Sequence, residues 1–517
     1  MEENLRKILF RNTLTSYINL SWRMITTIFI TRIVLFGLGD SLYGYWALLW
    51  TIFGYALLLD FGFGASVQKY TAEATVSKDF KKFNEMIAAV VSSYFIMSIF
   101  IIIFTLVGAF YLEDIFSLSH MKDIVYCKKV FIIFGVGIAL VFPSGAISEI
   151  LMGLKRTDLK NYVLIITYTI NIVGIFLIFK FEYSIMTLTI FTVSVNAAAN
   201  LIMYFILKKL LPEFKFSLKY FKFRAIKEIG SFSFFSYLLT IATLIIYRTD
   251  KMVLGIMVGM NAVAIYQLGT RISEIMEQFS SQFQNSLPAI AASLHKAGDK
   301  EKMKWILLKS IRLTVFIGIG FFIILFLQTR QILNIWLKIQ NKDAILIAYI
   351  MLISVLLIIL FRSTSFKFLQ MAGKHKVLAV IMVVESIINI VLSIILVRKL
   401  GVVGVAIGTL VPNIIISLFF VFPLFAKFSE FSVFYYIKKV YIPAAVITVP
   451  SIVILLYGTY MLSPNEWGII RLALFSCFSG SIYLLMGYFV YFTNEEKRKY
   501  LEVIPIRFVR EFLIKEQ

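Results

Sequence analysis

Long apolar runs, each about twenty residues or more, recur from one end of the 517-residue chain to the other, with short polar stretches between them. Twenty helical residues rise about 30 Å, the thickness of a bilayer's hydrocarbon core. The runs predict fourteen membrane-spanning helices, at 13–36, 43–63, 84–112, 124–152, 161–178, 183–207, 229–247, 262–293, 305–327, 344–370, 377–397, 402–426, 440–462 and 468–492. The eighth is long and unusually polar. No loop between runs exceeds a couple of dozen residues. The pattern therefore reads as an all-α polytopic membrane protein with almost none of its mass outside the bilayer.

The pattern also repeats. Ile170-Asn171-Ile172-Val173 recurs as Ile388-Asn389-Ile390-Val391 at an offset of 218, and Met152 and Lys155 recur as Met371 and Lys374 at 219. Val34-Leu35 recurs as Val253-Leu254 at 219, while Gly39 and Tyr45 pair with Gly259 and Tyr266 at 220 and 221. Four matches in order at nearly constant spacing define a period of six helices. An even number makes the repeat parallel, with a pseudo-two-fold axis along the membrane normal. The predicted organisation is an N-lobe at 1–210, a cytoplasmic linker at 211–228 and a C-lobe at 229–427. Two extra C-terminal helices lie within 428–493, and a cytoplasmic tail runs over 494–517. Two six-helix lobes about such an axis enclose a central cavity, the architecture of alternating access, so transport is the leading function.

Composition agrees with the pattern. The chain is 60% hydrophobic and 15% charged, with mean hydropathy +0.87, against about 45–50% apolar and about 25% charged for soluble domains. The net charge of +22 lies mainly in the short loops. Most loop Lys and Arg fall on one side when the amino terminus is placed in the cytoplasm, which puts both termini there. Anionic lipid headgroups, not nucleic acid, are the implied partners of this charge. The first run is too long for a cleavable signal and reads as a retained signal-anchor. Cys127 and Cys477 lie inside apolar runs, which disfavours a disulfide framework or a thiolate metal site. His120, His295 and His375 lie in loops without metal-ligand spacing, and no phosphate loop, nucleophile motif or catalytic loop is present. No cofactor is expected beyond a coupling ion, H+ or Na+, and an enzyme is the minority reading. Basic and aromatic residues around 208–227 read as a surface-lying linker. Arg507, Phe508, Arg510, Phe512 and Leu513 suit an interfacial helix in the tail.

Polar stripes inside the runs supply candidate cavity residues, because an in-span charge costs at least ~2.5–3.5 kcal/mol and faces a cavity or a partner. Ser16, Asn19, Arg23 and Thr26 or Thr27 share one face of the first run; Ser236, Thr240, Thr243 and Tyr247 do so in the seventh. Hydroxyls in these stripes line the cavity or bond to a neighbouring helix. Arg23, near mid-span, is the sharpest candidate for a cavity cation. Arg271, Glu274, Gln278, Gln282 and Asn285 form the most polar stripe, with Glu277 less aligned, and Arg271 and Glu274 are spaced to pair within their helix. Lys128 and Lys129, near the outer end of the fourth run, add positive charge. Asp60, Arg32, Arg248 and Asp250 are candidates for gating or ion coupling. For each a plainer account exists: helix capping for Asp60, snorkelling for Arg32, and an ordinary solvated loop for Arg248, Asp250 and Lys251. Glu149 lies near a cytoplasmic end and Glu385 nearer mid-span.

Leu59-Asp60-Phe61-Gly62-Phe63-Gly64 with Lys69, Gly153-Leu154-Lys155-Arg156-Thr157-Asp158, Asp250 with Val253-Leu254-Gly255 and Tyr266, Leu287-Pro288-Ala289, and Leu400-Gly401-Val402-Val403-Gly404-Val405-Ala406 stand along the whole chain. Together they resemble motifs of the polysaccharide and lipid-linked oligosaccharide flippases of the multidrug/oligosaccharidyl-lipid/polysaccharide exporter superfamily. Fourteen spans are similar to its export branches rather than to its twelve-helix drug antiporters. The resemblance implies a bacterial inner-membrane flippase that carries undecaprenyl-diphosphate-linked oligosaccharide from the cytoplasmic to the outer leaflet. Glycosyltransferases and a polymerase of the same pathway are then its implied partners. A cationic cavity suits a diphosphate, with Arg23 and Arg271 as the contacts; Glu274 and Glu277 beside Arg271 depart from that expectation. A multidrug or organic-cation antiporter on the same scaffold is the alternative.

Overall fold

A computed structural model describes residues 2–118, 123–215, 234–284, 300–338, 340–461, 468–494 and 496–497. Among these residues every regular element is helical. Ten runs are long and apolar enough to cross a membrane. Two of the ten are hairpins folded at Gly39 (φ 74) and Gly401 (φ 59), where a positive φ suits a residue without Cβ. Two further long helices, Phe234–Met257 and Met260–Gln284, fall outside that apolar set; with them, the helices at the expected span positions number fourteen among the described residues.

In chain order these are α1 (2–38), α2 (40–60), α3 (Phe80–Phe110), α4 (Ile124–Gly153), α5 (Thr157–Lys180), α6 (Ile185–Leu210) and α7 (Phe234–Met257). They continue with α8 (Met260–Gln284), α9 (Lys300–Leu327), α10 (Lys342–Gln370), α11 (375–400), α12 (402–429), α13 (Val433–Tyr460) and α14 (Ile469–Tyr491).

Two local findings depart from the sequence reading. The stretch after Asp60 is not a simple loop. Phe61 and Gly62 turn the chain through left-handed conformations, and Phe63–Ser77 forms a helix. It buries Phe63, Val67, Tyr70, Thr71 and Ala74 at helical spacing while Lys69 and Glu73 stay on its open side. The second departure is α7, which runs ten residues past the expected end at Tyr247, to Met257. Asp250 and Lys251 therefore belong to a helix, not to an outer loop.

The repeat is visible in backbone hydrogen bonds. Leu154, Lys155 and Arg156 donate to the carbonyls of Ile150, Met152 and Leu151, and Ala372, Gly373 and Lys374 donate to those of Phe368, Gln370 and Leu369. All three bonds recur at an offset of 218, one less than the side-chain match of Lys155 with Lys374 suggests. Both turns place a left-handed residue at the equivalent position, Lys155 (φ 59) and Gly373 (φ 78).

The chain forms two compact units, Met1–Leu268 with Met382–Gly408, and Gly269–Ile381 with Thr409–Gln517. In the first, α5 packs along α1 and α7 packs against α2. In the second, α14 is zipped onto α9. Tyr483 stacks on Phe316 at 4.7 Å and its hydroxyl donates to Phe316 O at 2.7 Å. Ser476 Oγ donates to Gln328 Oε1 at 2.6 Å further along.

Candidate functional site

Asn161 of α5, 4% exposed, organises the polar stripe of α1. Its Nδ2 donates to Thr15 Oγ1 at 3.2 Å and Ser16 Oγ at 3.0 Å, and its Oδ1 accepts from Asn19 Nδ2 at 3.1 Å. Trp22 Nε1 donates to Thr169 Oγ1 at 2.9 Å. Amide and hydroxyl bonds of this kind join apolar helices where the hydrophobic effect cannot. Ser16 and Asn19 thus fasten α1 to α5. Arg23, one turn beyond Asn19, lies at the edge of this face with its side chain exposed. At the amino-terminal end Asp158, 1% exposed, takes Arg11 Nε at 2.9 Å and Arg156 Nε at 3.0 Å. The Gly153–Asp158 motif therefore serves to anchor the start of α1.

On α8, Arg271 Nη1 meets Glu274 Oε2 at 2.8 Å, and Thr270 Oγ1 reaches Glu274 Oε1 at 3.4 Å. The guanidinium is thus paired within its own helix. Glu277 and Gln278 are half-buried nearby. On α7, Thr243 Oγ1 bonds back to Leu239 O at 2.7 Å.

Asp250 is 3% exposed. It accepts from the hydroxyl of Tyr266 on α8, and Ser393 Oγ of α11 stands 3.5 Å from its Oδ1. Along α11, Glu385, Asn389 and Ser393 fall one turn apart and are 2%, 1% and 0% exposed. Asn389 Nδ2 is 3.5 Å from Gly408 O, the carbonyl left without its helical donor by Pro412. The Asp250 carboxylate and the hydroxyls of Tyr266 and Ser393 thus share a buried cell in the first unit, an oxygen-rich setting for a proton or a small cation, with Asn389 one turn and Glu385 two turns further along α11. This corrects the solvated-loop account of Asp250. In the sequence Glu385 stands out singly and Ser393 not at all; the four-residue period of Glu385, Asn389 and Ser393 is the signal that links them.

At the helix ends carrying the Gly39 turn, small residues and hydrogen bonds close one set of spans on another. Ser41 Oγ donates to Asn261 Oδ1 at 2.6 Å, and Ser117 caps α7 through its N–H to Gly255 O at 3.0 Å and its Oγ to Ile256 O at 2.9 Å. A Cβ on Gly44 would strike the Met260 carbonyl. Deeper, Arg248 Nη1 donates to Trp50 O at 2.9 Å while its guanidinium fills the space beside Gly54, and Tyr55 and Thr249 share a 3.0 Å bond. Arg248 is therefore a helix-to-helix tie and not a loop residue. Lys128 pairs with Glu113 at 3.5 Å, Lys129 is exposed at the start of α4, and Arg32 covers the Phe36 ring at 5.4 Å.

At the opposite end, Asp60 accepts from the Tyr94 hydroxyl and closes the last turn of α2. Glu149 accepts from Gln68 and lies 3.8 Å from Lys160 Nζ. The side chains of Ser236 and Gln282, Asn285, His120, His295, Leu287-Pro288-Ala289, linker residues 216–228 and tail residues 498–517 fall outside the described residues.

Residues 234–395 match the sequence model of the MatE family. The fold is similar to that of the lipid II flippase MurJ in an inward closed conformation, with TM-score 0.68 and 17% identity over 92% of this chain and 98% of that one. It is also similar to an inward-facing multidrug resistance MATE family transporter of the MOP superfamily, with TM-score 0.64 and 14% identity over 80% and 94% of the two chains. A MOP superfamily transporter from Pyrococcus furiosus gives TM-score 0.59 and 13% identity over 82% and 95%. No match is found among curated protein sequences. The family match is confined to residues 234–395, and the likeness to these solved structures, all under 20% identical, is one of fold. The chain's long apolar helices make it a multi-pass membrane protein.

Proposed function

We propose that this protein is a flippase for undecaprenyl-diphosphate-linked oligosaccharide, moving it from the cytoplasmic to the outer leaflet of the bacterial inner membrane, with both termini cytoplasmic. The observation that carries the reading is the exposed cation Arg23 on a helix held rigidly by its own polar ladder. A fixed guanidinium is a bidentate partner for a diphosphate. The fourteen-span scaffold, similar to a lipid II flippase over nearly the whole of both chains, supports it. The Asp250 cell is the ion-coupling element in this reading, taking H+ or Na+, and Arg248 gates. Membrane lipids and the glycosyltransferases and polymerase of the same pathway are the partners.

A multidrug antiporter is the second reading, favoured by the MatE match and by the self-neutralised Arg271–Glu274 pair. Reconstitution decides between them. In proteoliposomes, protection of a labelled undecaprenyl-diphosphate oligosaccharide from an external glycosidase should require the protein and fall at least tenfold in Arg23→Ala. Wild-type activity in that variant, or transport of organic cations but not glycolipid, overturns the flippase reading.

A further inference from the structure

Four spans of the second unit leave α-helical geometry for one wide turn. The turns are Ile358–Ser363 in α10, Ile416–Val421 in α12, Ile437–Tyr441 in α13 and Gly487–Tyr491 in α14. Three show an i→i+5 bond, from the N–H of Phe422, Ile442 and Phe492 to the carbonyls of Ser417, Ile437 and Gly487. Such π turns hold one residue more than the α-helix needs, and they are recurrent at functional positions.

The four turns lie together. Phe361 in the first meets Phe422 at 5.3 Å, beside the second, and Tyr441 at 4.9 Å, in the third. Arg312 of α9 joins the third and fourth. Its Nη1 donates to Lys439 O at 2.9 Å, its Nη2 donates to Tyr491 O, and its guanidinium lies 4.5 Å from the centre of the Tyr491 ring. Glu496, 3% exposed, stands 3.3 Å from Arg312 Nε.

The captured carbonyls have an identifiable origin. Lys439 O would accept from residue 443 in a regular helix, but Pro443 has no N–H to give. Tyr491 O ends its helix, where carbonyls lack an internal partner. Leu360 O takes the Tyr441 hydroxyl at 2.9 Å and Ile358 O takes Ser363 Oγ at 2.9 Å. Side chains thus hold carbonyls that the widened turns and Pro443 leave open, and the charged donor among them serves two helices at once.

We propose that this belt of π turns is a hinge built into the second unit, and that Arg312 is the positioning residue that locks it. When the guanidinium leaves the two carbonyls, α13 and α14 change register against α9 by about one residue, about 1.5 Å along the axis. The inference does not depend on what is transported.

Hydrogen exchange of the full-length protein in lipid nanodiscs tests it. Arg312→Gln should raise exchange at residues 437–441 and 487–491 at least tenfold, with residues 80–110 of the other unit unchanged. Wild-type rates in both turns, or an equal rise across the whole unit, overturns the lock. Deleting Val490, which is 59% exposed, removes the surplus residue and should slow exchange over 487–491; an unaltered rate means that the turn is no hinge. Spin labels at Leu346 and Tyr457, both exposed, should show a second distance population in Arg312→Gln. A single distribution identical to wild type overturns the register change.

Discussion

Arg271 Nη1 lies 2.8 Å from Glu274 Oε2, one turn along the same helix, so the cation of the most polar stripe is already neutralised. Both side chains are about a quarter to a third exposed, at 26% and 31%, and such a pair contributes no more than ~1 kcal/mol to stability. Its importance lies in the potential it cancels.

Glu274→Gln should therefore leave thermal stability within about 1 kcal/mol of wild type while increasing affinity for undecaprenyl diphosphate severalfold, read by titration in nanodiscs. Arg271→Ala should have the opposite effect on binding. Equal affinities in all three proteins would mean that this stripe does not face the ligand.

Asn161 makes three side-chain bonds to α1. Inter-helical bonds in membrane proteins average ~0.6 kcal/mol each. Asn161→Ala should cost about 2 kcal/mol and lower the unfolding midpoint in detergent by several degrees. An unchanged midpoint would show that the ladder orients α1 without stabilising it.

Asp250→Asn keeps the shape of the buried cell but removes its charge. Transport stimulated by an imposed proton or sodium gradient should become insensitive to that gradient, while exchange without a gradient persists. Tyr266→Phe, which deletes the hydroxyl donor to Asp250, should weaken the response without abolishing it. Full gradient dependence in Asp250→Asn would remove this cell from the coupling mechanism.

Gly44→Leu places a side chain where the Met260 carbonyl now lies. The contact between the α1–α2 turn and the start of α8 should fail to form. A cysteine at Ser41, in a background lacking Cys127 and Cys477, should react with a membrane-impermeant thiol reagent at least fivefold faster than the same cysteine beside Gly44. Equal rates would show that this contact is not a closure.

Much of the architecture was written in one dimension. A twenty-residue apolar run is a span whatever surrounds it, because lipid supplies no hydrogen bonds and the backbone must satisfy itself. Fourteen spans, the period near 220 residues and the Arg271–Glu274 pair follow from such local rules. Short-range spacing also placed Asn19 and Arg23 on neighbouring parts of one helix.

What tertiary structure decided was the partner of each polar group. Asn19 faces Asn161, 142 positions away, and Arg248 reaches Trp50 across 198; no spacing rule links such residues. Asp250 looked like a loop acid because the apolar run falters at Arg248, yet α7 continues since Tyr266 and Ser393 supply the bonds that permit a carboxylate inside. The sequence by itself determined which segments cross the bilayer. Which buried charges are neutralised, and by what, was settled only by folding, because in a low-dielectric interior a polar group's cost is set by the atoms brought within about 3 Å of it.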